Sequence, residues 1–78
     1  MHNIKILGSG CANCKRLEEV ARRVVDRLSL EAEFEKVTDF DEIMKWEILS
    51  TPGLVIDGKV VSSGRIPKES EVEAWLKG

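Results

Sequence analysis

Apolar and polar positions change period several times along the chain, and each change marks an element. Ile4-Lys5-Ile6-Leu7 is short and β-branched and reads as a strand. Gly8-Ser9-Gly10 ends it as a turn in which glycine permits close approach of backbone. Apolar residues then fall at Cys14, Leu17, Val20, Ala21, Val24, Val25 and Leu28, steps of three and four that trace one face of a helix. The other face carries Lys15, Arg16, Glu18, Glu19, Arg22, Arg23, Asp26 and Arg27 and is expected to be solvated. Residues 31–37 alternate polar with apolar, which predicts a strand with one buried side. Thr38 or Asp39 is placed to cap a short helix, with Asp41 or Glu42 three residues on. Its buried positions are expected at Phe40, Ile43, Met44 and Ile48, with Trp46 as half-exposed packing.

Ser50-Thr51-Pro52-Gly53 interrupts the pattern, and Leu54-Val55-Ile56 follows as a buried strand. Asp57-Gly58 suits the positive φ angles of a type I′ hairpin turn, so residues 59–63 return as the last strand. Gly64-Arg65-Ile66 turns the chain, and Pro67 is expected in the first turn of a final helix. Val72, Trp75 and Leu76 give that helix an apolar stripe, with Trp75 in the core. The order is βαβα followed by ββα. A right-handed crossover makes the first two strands parallel, and the hairpin adds an antiparallel pair. The expectation is an α/β fold with a mixed four-stranded sheet flanked by helices. Without repeats or linkers, residues 1–78 form a single domain.

Composition narrows the function. The 78 residues carry a formal net charge of −2, with 33% of them charged. This leaves no basic footprint for nucleic acid and no polybasic patch for a membrane surface. Apolar runs stop at four or five residues, and Met1-His2-Asn3 leads straight into a strand without a signal-peptide pattern. A soluble, cytoplasmic monomer is expected, with no nucleic acid or membrane partner.

The chemistry concentrates at Cys11-Ala12-Asn13-Cys14, which holds both cysteines of the chain. A secreted mini-protein would use more cysteines as a scaffold, and a bridge across C-x-x-C closes too small a loop to stabilise a fold much. At a helix start, unpaired N–H groups favour an anion, so Cys11 is expected to ionise readily, helped by Lys15 and Arg16. Cys14 lies one turn on, on the stripe of Leu17 and Ala21, and should be more buried and less ionised. Three uses fit the pair: a redox dithiol, a soft-metal site for Cu(I) or zinc, or an inert structural pair. The redox reading fits C-x-x-C beside a βαβ pattern in a cytosolic chain. Small copper chaperones also carry C-x-x-C between a first strand and helix, but Thr51-Pro52 before an apolar strand has no place in their pattern.

Cys11-Ala12-Asn13-Cys14-Lys15 and Ser50-Thr51-Pro52-Gly53-Leu54-Val55-Ile56-Asp57-Gly58 together resemble the thioredoxin superfamily, in particular its small, glutaredoxin-sized redox-active disulfide proteins. The likeness runs through Ser63-Gly64-Arg65-Ile66-Pro67 and covers nearly the whole chain. It implies a thioredoxin-like three-layer fold with a cis peptide at Thr51–Pro52, placed beside the cysteines. It implies a thiol–disulfide oxidoreductase without a bound cofactor or metal, with Cys11 as nucleophile and Cys14 as resolving thiol. Ala12, Asn13, Thr51 and Pro52 would contact substrate, Thr51 through its backbone. The partners would be a protein or small-molecule disulfide and an external reductase or thiol reductant. A metal carrier or sensor using the same thiols, or a non-catalytic adaptor, are the alternatives. The chain departs from the larger thioredoxins at Gly10, where they have an aromatic residue, and at Ala12-Asn13, where they have Gly-Pro. It also departs at Lys5, where they have a buried acid. Lys5 is expected to snorkel from a strand edge. Ser63-Gly64-Arg65 falls near where glutaredoxins contact glutathione.

Overall fold

The computed structural model describes residues 2–8, 12–48 and 50–77. Strand β1 (His2–Leu7) leads to helix α1 (Ala12–Arg27), strand β2 (Ala32–Val37) and the short helix α2 (Phe40–Met44). Strands β3 (Gly53–Ile56) and β4 (Lys59–Ser63) and helix α3 (Glu69–Lys77) complete the chain. The sheet order is β2-β1-β3-β4. β1 runs parallel to β2, as the α1 crossover requires, and antiparallel to β3, which pairs antiparallel with β4.

Alternation along β1 divides the molecule into two cores. Ile4 and Ile6 join Leu54 and Ile56 on one face, where Leu17, Val24 and Val25 of α1 and Val72 and Leu76 of α3 cover them. Leu7 and Val55 point the other way and meet Ile43 and Ile48 from α2 and the segment behind it. That second core is small because α2 has only five residues. β3 is buried along its whole length, which explains its unbroken apolar run.

Local chemistry sets the element ends. Asp39 caps α2, its carboxylate accepting from the Asp41 N–H at 2.8 Å. α1 closes in a Schellman arrangement: Ser29 takes φ 54°, its N–H donates to Asp26 O, and the Leu30 N–H donates to Val25 O. Asp57 and Gly58 have φ angles of 50° and 83°, as the type I′ turn requires. A bulge between Leu54 and Val55 shifts the β3–β4 register.

Two expectations need correction. Phe40 and Met44 are not buried: they are 71% and 52% exposed. A five-residue helix seats only about one turn on the sheet, and Ile43 takes that place. Pro67 is buried but precedes α3, which starts at Glu69, so it closes the preceding turn instead of opening the helix. Trp75 packs partly buried against the larger core.

Candidate active site

The site begins where β1 ends. Cys14 lies in the first turn of α1 and is 6% exposed, on the stripe it shares with Leu17 and Ala21. Its sulfur packs directly over Gly8, the residue that follows β1. A Cβ on Gly8 would overlap Cys14 Sγ and would lie 3.6 Å from Cys14 Cβ and 3.9 Å from Pro52 Cα. Gly8 is therefore the meeting point of strand, helix and proline loop, and its missing side chain is the space the sulfur occupies. The Gly8 N–H donates to Val37 O at 2.9 Å, which fixes this point to β2.

The Thr51–Pro52 peptide is cis. Pro52 is buried and Thr51 is exposed. Pro52 O accepts from the Gly64 N–H at 2.9 Å, so the turn after β4 braces the loop. Gly64 has φ 74°, and a Cβ there would overlap Ser50 Oγ. Ala12 and Asn13 are exposed on the first turn of α1. The structure thus brings Cys14 and Pro52 together around Gly8. Cys11, and with it the turn residues Ser9 and Gly10, lies outside the described residues.

A family model for the thioredoxin domain matches residues 2–77. The chain belongs to the thioredoxin family. A curated thioredoxin of Methanothermobacter thermautotrophicus is 41% identical over 76 residues, which is 97% of this chain and 99% of that protein. A thioredoxin of Methanocaldococcus jannaschii is 39% identical over 74 residues, 95% of this chain and 85% of that one. The crystal structure of the germline-specific thioredoxin Deadhead of Drosophila melanogaster superposes with a TM-score of 0.64 at 17% identity. It covers 97% of this chain and 78% of that one. The solution structure of oxidised Plasmodium falciparum thioredoxin gives a TM-score of 0.61 at 20% identity, with the same coverage. Like its relatives, the chain is a thiol–disulfide oxidoreductase.

Within this family frame, the surroundings of Cys14 include two groups that the sequence reading passed over. A cavity of about 50 Å³ is lined by Gly8, Cys14, Glu18, Lys36 and Thr38, among others. Periodicity places Glu18 on the solvated face of α1, yet its side chain is only 15% exposed. Its carboxylate accepts from Arg22 Nε at 2.7 Å and pairs with Lys36 Nζ at 3.0 Å. The Arg22 hydrogen bond, with Lys36 beside it, outweighs burial and holds the Glu18 carboxyl below the usual range. The signal was available: Glu18 stands four residues after Cys14, one helical turn along the same side. Lys36 is the register partner of Ile6, and that pairing turns it towards α1.

Lys5 does not join this cluster. It sits on β1, an interior strand, and pairs with Glu35, its register partner on β2. Ile6 lines the cavity beside Cys14, so the neighbouring Lys5 points to the opposite face of the sheet. The Arg65 guanidinium is engaged by both carboxylate oxygens of Glu71, at 3.1 and 2.7 Å. Among the described residues, no group of three His, Cys, Asp or Glu side chains converges as a metal site. No helix among them is long and apolar enough to cross a membrane.

Proposed function

We propose that the chain carries out dithiol–disulfide exchange with Cys11 as the nucleophile and Cys14 as the resolving thiol. The observation that supports this most is the seat of Cys14: a shielded sulfur in the first turn of α1, packed against Gly8, which the cis-proline loop also approaches. Cys11 directly precedes the first residue of α1, where the helix end and the cations of Lys15 and Arg16 favour a thiolate.

In the first step the Cys11 thiolate attacks one sulfur of the substrate disulfide. A mixed disulfide forms and the other substrate sulfur leaves as a thiolate. Cys14 then loses its proton and attacks the Cys11 sulfur. The second substrate sulfur departs, and the two electrons gained by the substrate leave a Cys11–Cys14 bridge. An external reductase or thiol reductant restores the dithiol. Exposed Ala12, Asn13 and Thr51 form the surface on which an extended substrate segment lies, with the Thr51 backbone as its hydrogen-bonding partner. The protein works as a cytoplasmic monomer on protein or small-molecule disulfides, without a resident cofactor or metal.

Cys11→Ser removes turnover in an insulin reduction assay driven by dithiothreitol. Cys14→Ser retains the first step and accumulates mixed disulfides. Reductase activity that survives Cys11→Ser overturns the assignment. Stoichiometric Cu(I) binding without dithiol turnover would instead identify a metal carrier.

A further inference from the structure

The second step of the exchange asks Cys14 to lose a proton where solvent barely reaches, since the residue is 6% exposed. Burial disfavours a thiolate, so the proton needs an acceptor inside the fold. The cavity of about 50 Å³ beside the sulfur supplies one. Lys15 and Glu18 line it from α1, Lys36 from β2 and Thr38 from the segment after β2. Glu18 is the one carboxylate on that wall among the described residues. Glu19, the next acid along α1, is exposed and does not line the cavity. Glu35, beside Lys36 on β2, pairs with Lys5 on the opposite face of the sheet.

Two elements hold Glu18 in place. From α1, Arg22 Nε donates to its Oε2 at 2.7 Å; from β2, Lys36 Nζ holds its Oε1 at 3.0 Å. Arg22 first, and Lys36 with it, keep the carboxyl ionised at neutral pH. Each oxygen still has a lone pair to offer. The cavity has room for a water molecule, which takes about 30 Å³ in the liquid. A carboxylate, an ammonium group and a thiol on the wall can hold it there. The Glu18 side chain is 15% exposed, so the carboxylate also has a way out to solvent.

Resting on the exchange function proposed above, we infer that Glu18 accepts the Cys14 proton, through water in this cavity, as Cys14 attacks the Cys11 sulfur. The proton leaves Cys14 Sγ for the water, and a proton of the water passes to Glu18. The Cys14–Cys11 bond forms and the bond from Cys11 to the substrate sulfur breaks. That sulfur departs with the electron pair as a thiolate. Glu18 then releases its proton to solvent. An ordinary thiol holds a proton about ten-thousandfold more tightly than a carboxyl, so Glu18 carries it only in passing. Lys36 and Arg22 are positioning residues that aim the carboxylate.

The test is a single turnover of the full chain, without added thiol, on a peptide whose one cysteine is a mixed disulfide with 2-nitro-5-thiobenzoate. Release of the yellow thiolate times the attack by Cys11. Mass spectrometry of acid-quenched samples times the decay of the Cys11–peptide disulfide, which is the Cys14 step. In Glu18→Gln that decay should be slower at pH 6 by about a hundredfold, the low end of what a positioned base contributes. The deficit should shrink as the pH rises, because Cys14 then ionises without help. Glu18→Asp keeps the charge and both cations but sets the carboxylate back. It should fall between parent and Glu18→Gln with the same dependence on pH, and it carries the test if Glu18→Gln does not fold. A Cys14 step as fast in Glu18→Gln as in the parent overturns the inference. So does a deficit of equal size at every pH, which would mark a structural role. If the parent never forms the peptide disulfide, the exchange function itself fails, and the inference with it.

Discussion

Replacing Gly8 by alanine tests the arrangement at its tightest point. The new methyl group would overlap Cys14 Sγ, with Cys14 Cβ at 3.6 Å and Pro52 Cα at 3.9 Å already in contact. Neither neighbour moves freely: Cys14 is held by α1 and Pro52 by the Gly64 hydrogen bond. The sulfur must turn to another staggered position, a shift of about 3 Å, or the strand and helix must part. Overpacking of this kind costs about 1–3 kcal/mol, and in a domain of this size each kcal/mol lowers Tm by about 4–8 °C. The chemical effect should be larger, because a reacting atom misplaced by about 1 Å can lose on the order of a hundredfold in rate. Stopped-flow measurement with a chromogenic mixed disulfide separates the two steps. The second step, attack by Cys14, should slow by about a hundredfold in Gly8→Ala, and the mixed disulfide should accumulate. Gly58→Ala provides the control. Gly58 has φ 83° and open space around it, so alanine there strains the hairpin but leaves Cys14 untouched. If Gly8→Ala resolves the mixed disulfide as fast as the parent, the proposed role of the Gly8–Cys14 contact is wrong.

Two further predictions concern stability. The Glu71 carboxyl is pulled down to about 2 by its hydrogen bonds from Arg65 and the Lys68 N–H. A folded-state value below the unfolded one means that this interaction stabilises fully above about pH 4.5 and is lost as the pH falls towards 2. Urea unfolding of the parent and Glu71→Gln across pH 2–7 should therefore show a stability gap that closes on acidification; a gap independent of pH would refute it. Ser62 is 7% exposed, and its hydroxyl has no hydrogen-bond partner among the described residues. Ser62→Ala removes that buried polar atom and should raise stability by about 1 kcal/mol, read as a higher urea midpoint; an unchanged or lower midpoint would show that the hydroxyl is satisfied.

By itself, the sequence determined the element order, the mixed sheet and the helical face that buries Cys14. These follow from local rules: a period of two or 3.6, a turn that needs positive φ, and a crossover of one hand. The cis bond at Thr51–Pro52 was legible only through the family resemblance, since proline alone is compatible with an ordinary trans turn. Tertiary structure decided what depends on which surfaces are left to cover. Phe40 and Met44 have the composition of core residues, but a five-residue helix has one seat on the sheet and Ile43 fills it. Glu18 has the composition of a solvated residue, but the parallel pairing of β2 with β1 brings Lys36 across to it beside Cys14. Gly8 read as a turn residue, and only the packing of α1 onto the end of β1 made its absent side chain the berth of a sulfur. Periodicity reports what each segment prefers; which groups meet depends on how the segments are stacked, and that is a property of the folded chain alone.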